Sequence, residues 1–158
     1  MMKLYNLSES KYWETWDNGD GSHIVHWGTL GDEGESKTVR RSLFRKPKTA
    51  VQKEAEAMRQ QGFVPIDIED HAVLLIEYTV DDFGAKEDLE KRYALQDRMD
   101  QTLGWTGLGN CDGGSIGSGT MEVCCYVVDF DVAKAVIEKD LVGSEFADYT
   151  RIYDEAAH

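Results

Sequence analysis

Two histidines, a tryptophan and three glycines stand beside three carboxylates in HIVHWGTLGDEGE, residues 23 to 35. Paired imidazoles could hold a metal or move a proton, an indole face could stack on a ligand, and glycines could let a backbone approach one. Strand alternation sends His23 and His26 to opposite faces, so the two do not converge on a metal and are expected to face solvent. Gly28, Gly31 and Gly34 have a simpler use, since they permit the positive φ angles and close chain approach that a tight connection needs.

A second grouping is RRSLFRKPK, which supplies Arg40, Arg41, Arg45, Lys46 and Lys48. It reads as a small anion-binding face, or more simply as a solvated strand and loop that balance nearby carboxylates. The glycine-rich GLGNCDGGSIGSG, residues 107 to 119, lacks the Gly-Lys-Ser/Thr ending of a Walker loop. It also follows a helical pattern and leads into a strand, the reverse of a dinucleotide fingerprint. A hairpin turning at Asp112 and Gly113 fits it better.

Nucleophile and acid/base patterns are absent: there is no GxSxG, no HExxH, and no HxE with CxxC. Glu69, Asp70 and His71 form a solvated charge run. The three cysteines, Cys111, Cys124 and Cys125, give neither a disulfide framework nor zinc-ligand spacing and are expected as free, buried thiols. Cys124 and Cys125 point to opposite faces of one strand, so at most one is exposed, and a thiol enzyme would need His71 beside it. The expectation is a protein that is not an enzyme and holds no metal or cofactor.

The elements that must position these residues divide into two groups. KLYNL, KYWETW, HIVHW and KTVRRSLF read as strands, with a strong turn signal at DNGDG. A helix is expected from about Ala50 to Gln61, with Thr49 and Gln52 at capping-box spacing and Gly62 as the stop. FVPIDIED is the candidate linker. Beyond it come the strand AVLLIEYTV, a helix over KEDLEKRYALQDRMDQTL with Leu89, Tyr93, Met99 and Leu103 facing the core, a short TGLGN strand, the strand MEVCCYVV, the helix DVAKAVIEKDL and a last strand in FADYTRIY. That order is the split βαβ arrangement of ferredoxin-like domains. The predicted class is therefore α+β: an antiparallel sheet with one helix over residues 1–66, then an acidic ferredoxin-like βαββαβ unit over residues 71–155.

Charge separates the same two stretches. Residues 1 to 66 carry ten Lys/Arg against nine Asp/Glu, and residues 67 to 158 carry seven against twenty-one, a balance of +1 and −14. So acidic a second half repels phosphate backbones, because nucleic-acid affinity rests largely on Lys and Arg displacing counterions. The apolar runs are too short to span a membrane, and the start MMKLYNLSES lacks the apolar core of a signal peptide, which predicts a cytoplasmic protein with no membrane role.

The first half resembles the WGR domain, a module found in poly(ADP-ribose) polymerases and in many bacterial proteins. Trp27, Gly28, Leu30, Gly31 and Gly34 match its signature in order and spacing, and Tyr12 with Trp13 matches the aromatic pair of its upstream strand. Thr29 stands where the signature arginine belongs, His26 where an arginine often precedes the aromatic, and Glu35 where glutamine is common. In the polymerases the module helps grip a DNA end, and the resemblance implies a binding role through Tyr12, Trp13, His26, Trp27, Gly28, Thr29 and Gly31. Losing the arginine removes five donors and a fixed charge. A stacking tryptophan survives that change; a strong phosphate grip does not.

These readings converge on a binding or adaptor protein that contacts another protein or itself, with weak nucleic-acid binding through the first half as the alternative. In the acidic half, alternation places Glu77, Glu122 and Tyr126 on the sheet face opposite the helices, which is expected to be a partner surface.

Overall fold

In the computed structural model, which describes residues 1–157, the chain divides into two compact units, Met1–Asp67 and Ile68–His158. It is an α+β protein with two antiparallel sheets of four strands each.

The first unit is a meander of β1 (Met2–Asn6), β2 (Lys11–Asp17), β3 (His23–Thr29) and β4 (Glu35–Val39), in that spatial order, with helix α1 (Pro47–Gln60) packed on one face. Period-two alternation places Leu4, Trp13 and Val25 on the helix side, where they bury against Val51, Ala55 and Phe63. The helix starts three residues earlier than the capping box suggests. Pro47 occupies its first position after an extended Lys46, and no side chain caps it; the fixed φ of proline starts this turn instead. At the other end Gly62 has φ +93°, and the amide of Phe63 donates to Met58 O at 3.1 Å. That reversal directs Phe63 into the core and Val64 onto Tyr5, two backbone bonds of 2.8 Å, so the start of the expected linker belongs to the first unit.

The fourth strand ends at Val39, short of the expected KTVRRSLF. Arg40, Arg41 and Arg45 lie on the loop that follows, and all three are exposed.

The second unit runs β5 (Ala72–Thr79), α2 (Lys86–Trp105), β6 (Gly109–Gly117), β7 (Thr120–Val127), α3 (Phe130–Leu141) and β8 (Arg151–Asp154), with spatial order β6-β7-β5-β8. This is the split βαβ arrangement. Leu74, Ile76 and Tyr78 of the central strand bury beneath the helices, as alternation requires. Helix α2 buries Leu95, Met99 and Leu103, whereas Leu89 and Tyr93 stay exposed. The expected stripe was too wide. At 100° per residue Tyr93 lies about 120° around the helix from Met99, and a sheet covers a narrower arc.

The glycine-rich stretch is mostly strand. β6 pairs with β7 from Gly109 to Gly117, and the hairpin turns at Ser118 and Gly119, both at positive φ, as a two-residue turn of the favoured hand requires. Asp112 and Gly113 instead form a bulge between Cys111 and Gly114. Both Gly-containing pairs tolerate positive φ, and the pairing with β7 places the turn at the second. Among the described residues no helix is long and apolar enough to cross a membrane.

Candidate functional site

The outer face of the first sheet carries a buried polar and aromatic layer. Register places Tyr5 opposite Tyr12, Glu14 opposite His26, and Tyr12 opposite Gly28. His26 is 1% exposed, against the expectation that it faces solvent. The connection Leu30–Gly34 accounts for this, because it folds back over the strand that precedes it. The Tyr12 hydroxyl donates to Asp32 O at 2.8 Å, and His26 Nε2 bonds to Glu33 O, which fixes the proton on that nitrogen because a carbonyl can only accept. Leu30, the first residue of the connection, is itself buried.

The glycines make this fold-back geometrically feasible. A Cβ on Gly28 would lie 2.8 Å from Gly34 Cα and 3.1 Å from Tyr12 Oη. At Gly34, with φ +69°, it would lie 2.2 Å from the carbonyl oxygen of Trp27. Gly31 turns the connection at φ +95°. Most of the signature residues are therefore occupied in holding one connection to one strand.

Glu14 lies within this layer, 6% exposed, with Oε1 3.7 Å from His26 Nδ1. Burial holds its carboxyl above the usual range, against the charges of Lys3 and His26, which pull it down. The same burial, aided by the Glu14 charge, lifts the Tyr5 phenol to about 12. A carboxyl raised by folding stabilises the fold below its unfolded pKa and loses that contribution as pH rises through its folded value. Above the ordinary carboxylate range burial of this group thus opposes folding. Glu14→Gln is expected to melt above the wild type at about pH 8 and to lose that advantage toward about pH 4, where the wild-type carboxyl is protonated as well. A wild type that outlasts the variant at the higher pH would show that attraction to His26 outweighs burial.

Trp27 points the other way. It pairs with Trp13 across the strands and packs, half-buried, on the rim of the helix-side core. Trp13 is fully covered, and its Nε1 donates to Glu54 Oε1 at 3.3 Å. Beside Trp27 opens a cleft of about 260 Å³ whose walls include Lys11, Tyr12, Thr29, Met58 and Phe63. Lys11 in its wall and Lys37 near Trp27 are already paired. Lys37, 5.7 Å from the Trp27 ring centre, sits 2.9 Å from Glu54, and Lys11 sits 3.9 Å from Glu9. Tyr12, Trp27, Gly28 and Thr29 therefore meet at this cleft, Trp13 and His26 lie buried to either side of the strand, and Arg40, Arg41 and Arg45 belong to the loop after β4.

In the second unit the face away from the helices carries Glu77, Glu122 and Tyr126, with Glu77 directly opposite Glu122. Sequence reasoning missed what β8 adds. Arg151 makes two bonds to Glu77, of 3.1 and 3.2 Å, and its guanidinium lies 3.8 Å from the Tyr153 ring centre. The Tyr153 hydroxyl donates to Glu122 Oε1 at 2.7 Å, and burial followed by that bond raises its phenol to about 12. This face is a hydrogen-bonded network in which Arg151 offsets one of the two carboxylates, instead of a bare acidic surface. The alternation of the short RIYD segment could have pointed to it, since Arg151 and Tyr153 are two apart.

Cys111 and Cys125 are buried, directly paired free thiols, and Cys124 is half-buried on the opposite face. His71 precedes Ala72, which pairs with Val127, while Cys124 pairs with Leu75. At about 3.3 Å per residue that separates thiol and imidazole by some 13 Å along the strands, so they form no catalytic pair. Among the described residues no group of three or more His, Cys, Asp or Glu is placed to hold a metal ion. Comparison with protein-family models, with curated proteins and with solved structures finds no match to this chain.

Proposed function

We propose that this chain is a non-enzymatic binding protein, an adaptor in which a WGR-like unit and an acidic ferredoxin-like unit each offer a face to a protein partner or to another copy of the chain. The observation that carries this reading is the division of labour in β3. Tyr12, His26, Gly28 and Gly34 are consumed in holding the Leu30–Gly34 connection, while Trp27 is left half-exposed on the rim of an open cleft. A large amphipathic side chain beside Met58 and Phe63 suits an apolar anchor of a partner protein, since tryptophan is enriched among the residues that dominate interface energies. In the second unit, Glu77, Glu122 and Tyr126 with Arg151 and Tyr153 offer preorganised polar groups for specificity.

The competing reading, nucleic-acid binding through the same unit, draws support from the Trp27 face, which could stack on a base. Against it stand Thr29 in place of arginine and the carboxylate partners of Lys11 and Lys37, which leave little positive charge for phosphate. Fluorescence anisotropy with nicked, blunt and single-stranded oligonucleotides is expected to give dissociation constants no tighter than about 10⁻⁴ to 10⁻⁶ M at physiological salt, with affinity falling steeply as salt rises. Nanomolar binding would reverse the order of the two readings. Trp27→Ala is expected to remain folded by far-UV circular dichroism, at a cost of about 2 kcal/mol, below that of a fully buried tryptophan. A collapsed variant would make Trp27 a core residue and remove it from the site.

A further inference from the structure

Loss of the expected strand beyond Val39 leaves Leu43 and Phe44 at the tip of a loop, 95% and 97% exposed. The tip has a defined form. The Ser42 amide donates to Arg45 O at 3.1 Å, and the Ser42 hydroxyl lies 3.4 Å from the same oxygen, which closes the loop and turns the two apolar side chains outward. Around them stand Arg40, Arg41, Arg45, Lys46 and Lys48, all exposed and none in an ion pair among the described residues. Residues 36 to 53 hold seven Lys/Arg and no acid. Two adjacent large hydrophobes in open water within a ring of cations have the composition of a docking element.

The same chain carries the opposite composition. Residues 81 to 90, DDFGAKEDLE, hold five carboxylates and one lysine around the loop into α2 and its first turn. Phe83 there is 79% exposed, Leu89 40%, and Tyr93 one turn further along 53%. Leu89 and Tyr93, four apart, share one side of the helix. The first segment is basic around exposed apolar groups; the second, out to Tyr93, is net acidic, with five carboxylates against Lys86, Lys91 and Arg92, whose guanidinium lies 4.8 Å from the Tyr93 ring centre.

We propose that the Leu43–Phe44 loop of one copy docks on the Phe83–Tyr93 end of α2 in a second copy, so that the protein self-associates head to tail. Each copy brings the receptor at the concentration of the loop itself. The formal charge of −13 does not forbid the contact, because at physiological salt charges more than about 8 Å away are largely screened, and the contact then reads the local charges. The inference is independent of the Trp27 cleft, and variants in each leave the other intact.

Analytical ultracentrifugation of the full chain from about 1 µM to about 1 mM, the range of weak association, tests it. The wild-type weight-average mass is expected to rise with concentration. Phe44→Ser should weaken association at least about tenfold with an unchanged melting curve, since its target is solvent-exposed. Arg41→Glu with Arg45→Glu, and separately Glu87→Arg with Glu90→Arg, should each remain monomeric; an equimolar mixture of those two double variants should associate again, because both partners are reversed. A wild type monomeric throughout, an association that Phe44→Ser leaves untouched, or a mixture that does not recover would each overturn the proposal. Monomeric protein that binds phosphatidylcholine/phosphatidylglycerol vesicles or a single-stranded oligonucleotide through Phe44 would assign the loop to a phosphate-bearing surface and overturn it too.

Discussion

Gly34→Ala is expected to lower the melting temperature of the first unit by roughly 12 to 24 °C, the effect of about 3 kcal/mol on a unit of this size. Two costs combine. Gly34 has φ +69°, where alanine is strained by roughly 1 to 2 kcal/mol. The new methyl would also meet Trp27 O at 2.2 Å and Tyr12 Oη at 2.6 Å, both fixed by the sheet and by the bond to Asp32 O. The connection must then lift off, which uncovers His26 and leaves its hydrogen bond to Glu33 O unmade. Gly19→Ala is the control for backbone strain alone: φ there is +82° with no atom within 4 Å of the added carbon, so about 1 kcal/mol is expected. Equal losses at the two sites would show that the Leu30–Gly34 connection does not press on the strand. The measurement is thermal unfolding followed by near-UV circular dichroism, where Tyr12 and Trp27 report.

Leu74→Ala should cost the second unit about 3 kcal/mol, within the range for leucine truncation in a core. Leu74 is fully buried on the central strand, with β7 and β8 on either side and the helices above, so the cavity has little room to collapse. Leu89→Ala, on the exposed side of α2, is expected to change stability by about 0.5 kcal/mol or less. Chemical denaturation of both variants separates the two cases. Similar midpoints would mean that α2 packs through the Leu89–Tyr93 face after all.

What the sequence could reveal follows from how local each determinant is. Alternation in AVLLIEYT places Leu74, Ile76 and Tyr78 inward because period two is a property of the strand itself. The order of elements in the second unit was legible for the same reason. The hairpin turn was not, since Asp112–Gly113 and Ser118–Gly119 both tolerate positive φ and only the partner strand decides which pair makes the turn. His26 was misjudged because its burial depends on a connection seven residues downstream that folds back over it, a tertiary event without a local signal. KTVRRSLF is β-rich in composition and predicts a strand, yet pairing with β3 ends at Val39 and the basic residues fall on a loop. At the site, Trp27 and the glycines are visible in the signature, while Met58 comes from the last turn of α1 and Phe63 from the reversal after it, and both could be placed only by the fold. Alternation in RIYD can mark Arg151 and Tyr153 as sharing a face, but their carboxylate partners lie 74 and 31 residues away and follow only from the fold.

The central claim, that Trp27 is a contact for a protein partner while its neighbours hold the fold, is tested most directly by capture from native cell extract on immobilised wild-type chain and on Trp27→Ala. Nuclease-treated extract and washes at low and high salt separate the partner classes, because an apolar contact hardly responds to salt whereas phosphate binding falls steeply. The account predicts a protein retained by the wild type in both washes and lost from the folded variant. Equal capture by both, or retention that disappears with nuclease, would contradict it.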